Sequence, residues 1–313
     1  MHALRAYAKN DATRLVYEDG PRPVASPGDV VVRVHACGVS PTELAWPSTW
    51  VEPDGTDRPL PIIPGHEVSG VVASRGAGVD GVDVGDEVYG LIDFQRDGAD
   101  SEYVAARAAE LAPKPSTLDH VHAAAVPLSG LTAWQALFDH ARLEGGQRVL
   151  IHGGAGGVGS LAVQLARWRG AHVVATASGA DVDVVRALGA DEVLDYRADR
   201  FDDTVRDADV VFDTVGGDTW RRSWRVLRAG GTLVSVAVPR PPVESAPAAV
   251  RAVWFVVSSR PDQLAEIAVL IDAGHVRPVV GEVLPLARGA EAFAPGHRAR
   301  PGKIVLDVAG EGA

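Results

Sequence analysis

The stretch His152-Gly153-Gly154-Ala155-Gly156-Gly157-Val158-Gly159 decides how the rest of the chain is read. Gly154, Gly156 and Gly159 are spaced G-x-G-x-x-G, between an apolar run at 148–152 and a helical pattern at 158–169. In such a strand–turn–helix the first glycine permits a tight turn. The second lets backbone approach a pyrophosphate, and the third lets helix and strand pack closely. The helix N-terminus adds the positive end of its dipole. Glycine turns are common, so the spacing alone is weak. It gains weight from Val158, Leu161, Ala162 and Leu165, which give the following helix the apolar face it needs. Gly154, Ala155, Gly156, Gly157, Val158 and Gly159 are therefore read as dinucleotide-binding residues.

Working downstream, strands and helices alternate. The pattern predicts a strand over 172–176, a helix over 181–188 stopped by Gly189, and strands over 192–194 and 209–212. A helix around 220–227 and a strand over 232–237 follow. That alternation means a parallel, doubly wound sheet of Rossmann type. Residues 239–247 read as a loop by composition, 253–257 as a compact apolar strand, 261–273 as an amphipathic helix and 303–308 as a closing strand. Upstream, apolar residues recur at helical spacing from Gly130 to Ala141, ended by Gly145-Gly146. The first third is rich in valine, glycine and proline, with strands expected over 30–35, 68–73 and after the Gly85-Asp86 turn. This is a β-rich, barrel-like domain. No internal repeat is evident.

At 313 residues the chain is long enough for two cores. Hydrophobic residues at 46% and charged residues at 23% suit a soluble globular protein. A net charge of -11 argues against a polyanion such as nucleic acid, which needs a basic face, but not against a small anionic cofactor. Lysine occurs only at Lys9, Lys114 and Lys303; arginine carries the rest of the basic charge. The single cysteine, Cys37, excludes an intramolecular disulfide and a thiolate-rich metal site. Met1 to Tyr7 has no apolar signal core, and no apolar run reaches membrane-spanning length, so a cytoplasmic address is expected.

The end of the second strand bears on cofactor choice. An NAD site usually carries Asp or Glu there to bond the ribose hydroxyls. Here the chain reads Ala175-Thr176-Ala177-Ser178-Gly179, with no carboxylate. A 2′-phosphate can approach and Ser178 can donate to it, so NADPH is expected. Asp181 is expected to cap the next helix.

With these pieces placed, the chain resembles the medium-chain dehydrogenase/reductase superfamily, most closely its zinc-free, NADP-dependent quinone-oxidoreductase-like branch. The matching segments are Gly38-Val39-Ser40-Pro41-Thr42-Glu43, Pro64-Gly65-His66-Glu67-Val68-Ser69-Gly70, Val84-Gly85-Asp86-Glu87-Val88 and Leu128-Ser129-Gly130-Leu131-Thr132-Ala133-Trp134. They continue with the glycine stretch, Leu188-Gly189-Ala190-Asp191, Asp213-Thr214-Val215-Gly216-Gly217, Gly230-Gly231-Thr232 and Gly302-Lys303-Ile304-Val305-Leu306, in matching order and spacing. The resemblance implies a β-rich GroES-like catalytic domain split over 1–123 and 260–313, around a Rossmann NADP-binding domain over 124–259. It implies 2′-phosphate contacts from Ser178 and, near the adenosine phosphate, from Tyr196. A lysine that holds this phosphate in some relatives would fall near Asp181 and is absent, leaving Arg197 as a substitute.

Zinc-dependent members hold their metal with a cysteine after Gly-Val, the histidine of Gly-His-Glu, and a later cysteine or carboxylate. Here the first position is Ser40 and the last is Leu128, with His66 and Glu67 between. A catalytic zinc needs three protein ligands, so no metal is expected. His66 reads as a hydrogen-bonded turn histidine and Cys37 as a small buried residue. Without a Lewis acid, hydride transfer favours an acceptor that is already electron-poor, a quinone or an α,β-unsaturated carbonyl. Ser40 and Thr42 are the expected catalytic hydroxyls, facing the nicotinamide as in relatives. Trp46 and Trp50 are expected to form an aromatic wall for a planar substrate, and Trp134 to be core. Two other readings stay open: an enoyl-thioester or polyketide-tailoring reductase, and a non-catalytic NADPH-binding redox sensor. The expected partners are a small-molecule substrate and a second copy of the chain, since the apolar edge at 253–257 needs covering; neither nucleic acid nor membrane is expected.

Overall fold

Valine-rich alternation in the first third becomes seven strands, β1 (His2–Ala6), β2 (Leu15–Asp19), β3 (Asp29–Val39), β4 (Glu67–Arg75), β5 (Glu87–Leu91), β6 (Tyr103–Arg107) and β7 (Leu111–Pro113). Two short helices follow, α1 (His120–Ala124) and α2 (Pro127–Trp134). The alternating part runs β8 (Arg148–His152), α3 (Gly157–Trp168), β9 (His172–Ala177), α4 (Val182–Ala187), β10 (Glu192–Asp195), α5 (Phe201–Thr204), β11 (Ala208–Asp213), α6 (Asp218–Ser223), β12 (Leu227–Ser235) and β13 (Arg251–Trp254). It closes with α7 (Pro261–Asp272), β14 (Val280–Pro285) and β15 (Lys303–Asp307). This computed structural model describes residues 1–237, 239–297 and 301–310.

Strands β8 to β13 form one six-stranded sheet in the order β10-β9-β8-β11-β12-β13, every pair parallel. Strand order reverses between β8 and β11, the switch point where an open α/β sheet binds ligands beyond its strand ends. The expected Rossmann sheet is therefore present, with the glycine stretch leaving its central strand. Leu161, Ala162, Leu165 and Ala166 of α3 are buried against it, and burial of each leucine contributes about 2 kcal/mol.

The barrel sheet runs β14-β15-β3-β4-β5-β7, with β6 also on β3. It joins the start of the chain to its end: Leu306 faces Cys37 and Ile304 faces Val39 across antiparallel β15 and β3. Its core gathers Val30, Val32, Val34, Val68, Val72 and Ile304. Helix α7 instead buries Leu264, Ile267 and Ile271 in the core that holds α3 and Trp134. Tyr89 of β5 ties this helix to the barrel, its hydroxyl donating to the Leu264 carbonyl at 2.5 Å.

Three departures from the expected elements have local causes. The helix read over 130–141 is α-helical only to Trp134 and continues as a π-turn over Gln135–His140. There the Gln135 amide is drawn to the Ser258 carbonyl and the Gln263 side chain. The strand read over 253–257 stops at Trp254, because the chain turns so that the Ser258 N–H donates to Gln135. The hairpin β1–β2 lies outside the strands that the sequence pattern predicts: its register leaves β2 half exposed, without the alternation that marks a strand. Among the described residues no helix is long and apolar enough to cross a membrane.

Candidate active site

The glycine stretch divides its tasks differently from the expected scheme. Gly153 adopts the positive φ of the tight turn, at 75°, a conformation cheap only for glycine. Gly154 serves packing instead: a Cβ there would lie 3.0 Å from Ala175 and 3.1 Å from Val185. At Gly159 a Cβ would stand 2.1 Å from the Gly153 carbonyl oxygen, so helix α3 could not sit this close to its strand with any other residue. Gly156, the N-cap of α3, makes no such internal contact, and no side chain caps the helix. The first N–H groups of α3 are thus left for an anion. His152 fixes the strand end: its ring nitrogens lie 3.2 Å from Thr176 Oγ1 and 3.1 Å from Ser223 Oγ. Burial, assisted by Arg222, lowers its pKa to about 3, so the ring is neutral.

Pairing of β10 with β9 sets Asp195 opposite Ala177, which brings Ser178, Tyr196 and Arg197 together beyond the sheet. Tyr196 is exposed, and the Arg197 guanidinium lies 5.5 Å from its ring. Asp181 does not cap α4, contrary to expectation. Its carboxylate makes no capping bond and accepts the Ser178 hydroxyl at 2.5 Å, both residues being buried. A hydroxyl three residues upstream competes better for this carboxylate than the helix's own N–H groups.

Against the glycine stretch the barrel contributes a charged cluster. Lys303, the first residue of β15, is buried and forms an ion pair with the equally buried Glu67 of β4. Its ammonium also donates to Ser40 Oγ at 3.1 Å. Glu67 is anchored on its other side, Oε1 accepting from the Leu128 N–H of α2 at 3.0 Å. Burial raises the Glu67 pKa although Lys303 opposes the shift. The lysine is delivered by Gly302, whose N–H donates to the Ala155 carbonyl at 2.8 Å and whose φ is 98°. A Cβ on Gly157 would meet the Lys303 side chain at 3.1 Å and Ser129 Oγ at 3.3 Å. Ser129 Oγ is buried and has no hydrogen-bond partner among the described residues. Lys303 was legible only as part of a closing strand; its three neighbours come from three distant segments.

Behind Ser40 lies a second buried network. His66 Nδ1 is 2.8 Å from Glu43 Oε1, and its Nε2 is 3.3 Å from the Arg96 carbonyl. Burial disfavours the charged imidazole, but Glu43 outweighs it and the His66 pKa is raised. Cys37 is buried, its thiol donating to Asp100 Oδ1 at 3.0 Å. Burial and then Glu43 push the Asp100 carboxyl up to about 7. Phe94 meets the His66 ring edge-on at 5.2 Å and Trp46 at 5.5 Å. Trp46 and Phe94 thus stand together beside His66, where an aromatic wall was expected from Trp46 and Trp50. Trp50 does not belong to it: only 3% exposed, it donates its indole N–H to the Leu44 carbonyl at 2.8 Å and packs in the barrel core. Thr42 is exposed, whereas Ser40 is the hydroxyl tied to the charged cluster.

Comparison with known proteins agrees with this geometry. Residues 26–116 match the alcohol dehydrogenase GroES-like domain and residues 188–306 the zinc-binding dehydrogenase family. The mitochondrial NAD(P)H oxidoreductase RTN4IP1 of Mus musculus is 31% identical over 96% of this chain and 87% of its own length. This chain belongs to the medium-chain dehydrogenase/reductase superfamily. A chloroplastic NADPH-dependent alkenal/one oxidoreductase of Arabidopsis thaliana is 34% identical over 84% of the chain and 68% of its own length. The structure of a quinone oxidoreductase from Coxiella burnetii superimposes with a TM-score of 0.90 at 30% identity, covering 98% of this chain and 99% of that one.

Membership makes the protein an NAD(P)-dependent oxidoreductase, and its own residues fit the dinucleotide. The uncapped α3 terminus suits a pyrophosphate, and the orphaned Ser129 hydroxyl lies beside it. The residues do not fit a zinc ion of the kind other superfamily members hold. Leucine stands at one ligand position and serine at another, and this Ser40, like the neighbouring Glu67, is engaged by the Lys303 ammonium, a cation that repels another. Among the described residues no three His, Cys, Asp or Glu side chains are placed to hold a metal.

Proposed function

We propose that the protein uses NADPH to reduce a quinone or an α,β-unsaturated carbonyl, without a metal. The observation that carries the reading is the cluster at the mouth of the glycine stretch: an ammonium and a hydroxyl occupy the place of a Lewis acid. When bound, the nicotinamide supplies the hydride. Alignment of the acceptor and stabilisation of the oxygen that gains charge then fall to the chain. Trp46 and Phe94 offer an apolar edge for a flat acceptor, and Ser40 offers a hydroxyl beside it. Thr42, exposed on the same loop, is a second hydroxyl within the reading. The alkenal/one and quinone oxidoreductases to which the chain is similar support this acceptor class.

The preference for NADPH rests on Tyr196 and Arg197 just beyond β10; Ser178, at the end of β9, joins them once its hydroxyl turns from Asp181 to the phosphate. We also propose that two copies pair along β13, the edge of the parallel sheet, beside which Val256 is 58% exposed. Sedimentation should then show a dimer. The acceptor class is tested by following NADPH oxidation with quinones, enones, enoyl thioesters and simple ketones. Quinones and enones should give the highest kcat/KM; a preference for enoyl thioesters or simple ketones would replace the reading.

A further inference from the structure

We infer that Lys303 is the proton reserve of the site, recharging the Ser40 hydroxyl after it has protonated the reduced acceptor; the inference rests on the acceptor-reduction reading above. Three observations meet here. First, the Lys303 ammonium donates to Ser40 Oγ at 3.1 Å. The Ser40 O–H is therefore directed away from the lysine, and among the described residues no protein group accepts it. A hydroxyl that accepts from an ammonium and keeps its own proton available to donate is one link of a relay.

Second, Glu67 keeps the ammonium charged and in place, and Leu128 in turn holds Glu67. Among the described residues Glu67 is the one charged group facing Lys303. Gly302 fixes the base of the lysine to the glycine stretch, so the relay is registered against the cofactor loop itself.

Third, the residue type is telling. Only three of the thirty basic residues in this chain are lysines, and one of them is buried here. Where charge alone is wanted, arginine serves, and this chain uses arginine almost everywhere. A guanidinium does not release a proton at any working pH, whereas an ammonium does.

The proton balance is simple. Reduction leaves the acceptor with a negative charge on oxygen. That oxygen takes the proton of Ser40 as the Ser40 O–H bond breaks. Lys303 Nζ passes one proton to Ser40 Oγ and becomes a neutral amine, and water restores the ammonium. Nothing is oxidised or reduced in these steps.

The test uses the full chain and the variants K303R, S40A and the double variant. NADPH affinity is read by nicotinamide fluorescence, and kcat/KM for an enone is followed across pH. The third readout is NMR of protein labelled at lysine Cε, which carries only three lysine signals; K303R identifies the one from Lys303. K303R should bind NADPH within about threefold of wild type yet lose about a hundredfold in turnover, the scale of positioned acid catalysis. S40A should lose a similar factor, and the double variant no more than either alone. The alkaline limb of the wild-type profile should coincide with the Lys303 titration in the NADPH complex and vanish in K303R. Full turnover in K303R overturns the inference. So does a loss of NADPH affinity that accounts for the lost turnover, or a Lys303 signal that titrates away from the limb. A wild-type enzyme inactive toward every quinone and enone would instead sink the acceptor reading beneath it.

Discussion

The two walls of the cleft are built by different means. On the Rossmann side the site is backbone: seven consecutive residues from Gly153 to Gly159 turn, leave a helix end uncapped and let strand and helix touch. On the barrel side the site is side chains drawn from Ser40, Glu67 and Lys303, on segments that meet only because β15 pairs with β3 and β3 with β4. A backbone site depends on glycine spacing and tolerates nothing larger. A side-chain site depends on charge balance and tolerates changes of shape better than changes of protonation. Each wall should therefore break in its own way.

The largest effect is expected at Gly159. G159A forces a Cβ to within 2.1 Å of the Gly153 oxygen, so the turn must shift and NADPH affinity should fall more than a hundredfold by fluorescence titration. G156A, with no such clash, should leave the melting temperature nearly unchanged and weaken NADPH by about tenfold through bulk at the approach to the pyrophosphate. Equal effects of the two substitutions would mean that the loop is not a close-packed turn.

On the barrel wall, E67Q removes the charge that balances a buried lysine. Breaking one half of a buried pair costs about 3 kcal/mol or more, so unfolding in urea should come at clearly lower concentration while the fold stays intact. An unchanged midpoint would mean that Lys303 finds another partner or water.

A smaller effect is expected at the ribose end. D181A removes the only group among the described residues seen to accept the Ser178 hydroxyl, and with it a carboxylate from beside that serine. NADPH should bind about five- to tenfold more tightly and NADH about as before. A parallel gain for both cofactors would show that Asp181 does not face the 2′-phosphate.

The smallest concerns the strap between the walls. Asp272, at the end of α7, accepts from the backbone and hydroxyls of Ser116 and Thr117 at 2.7–3.0 Å. Burial opposes its charge, but these four bonds prevail and bring its pKa down to about 2. A depressed carboxyl stabilises the fold above its ordinary pKa near 4, and that stabilisation is lost as pH falls toward 2. D272N should thus lower the melting temperature at pH 6 and have little effect near pH 2. A difference that persists at low pH would mean the bonds do not depend on the charge.

The same contrast explains what could be read in advance. The glycine stretch, the six parallel strands and the barrel were legible because each is written in a contiguous pattern of a few residues. Ser178 and Asp181 were legible as residues, but whether the aspartate accepts from the serine or from the helix end is decided by local geometry. Trp46 and Trp50 share one short segment, and sequence does not say that one stays half-buried against Phe94 while the other turns into the core. Lys303 stood in plain view as the start of a strand. Its partners Ser40 and Glu67 lie just after β3 and at the start of β4, and only the folded sheet brings them together.

If a lysine-charged hydroxyl rather than a metal serves the reduction, activity must survive without metal. The decisive assay is NADPH oxidation with a quinone and an enone by enzyme exhaustively treated with a strong chelator, its metal content checked by elemental analysis. Metal-free protein should give full, saturable turnover. Turnover that disappears on chelation and returns with zinc would contradict this reading.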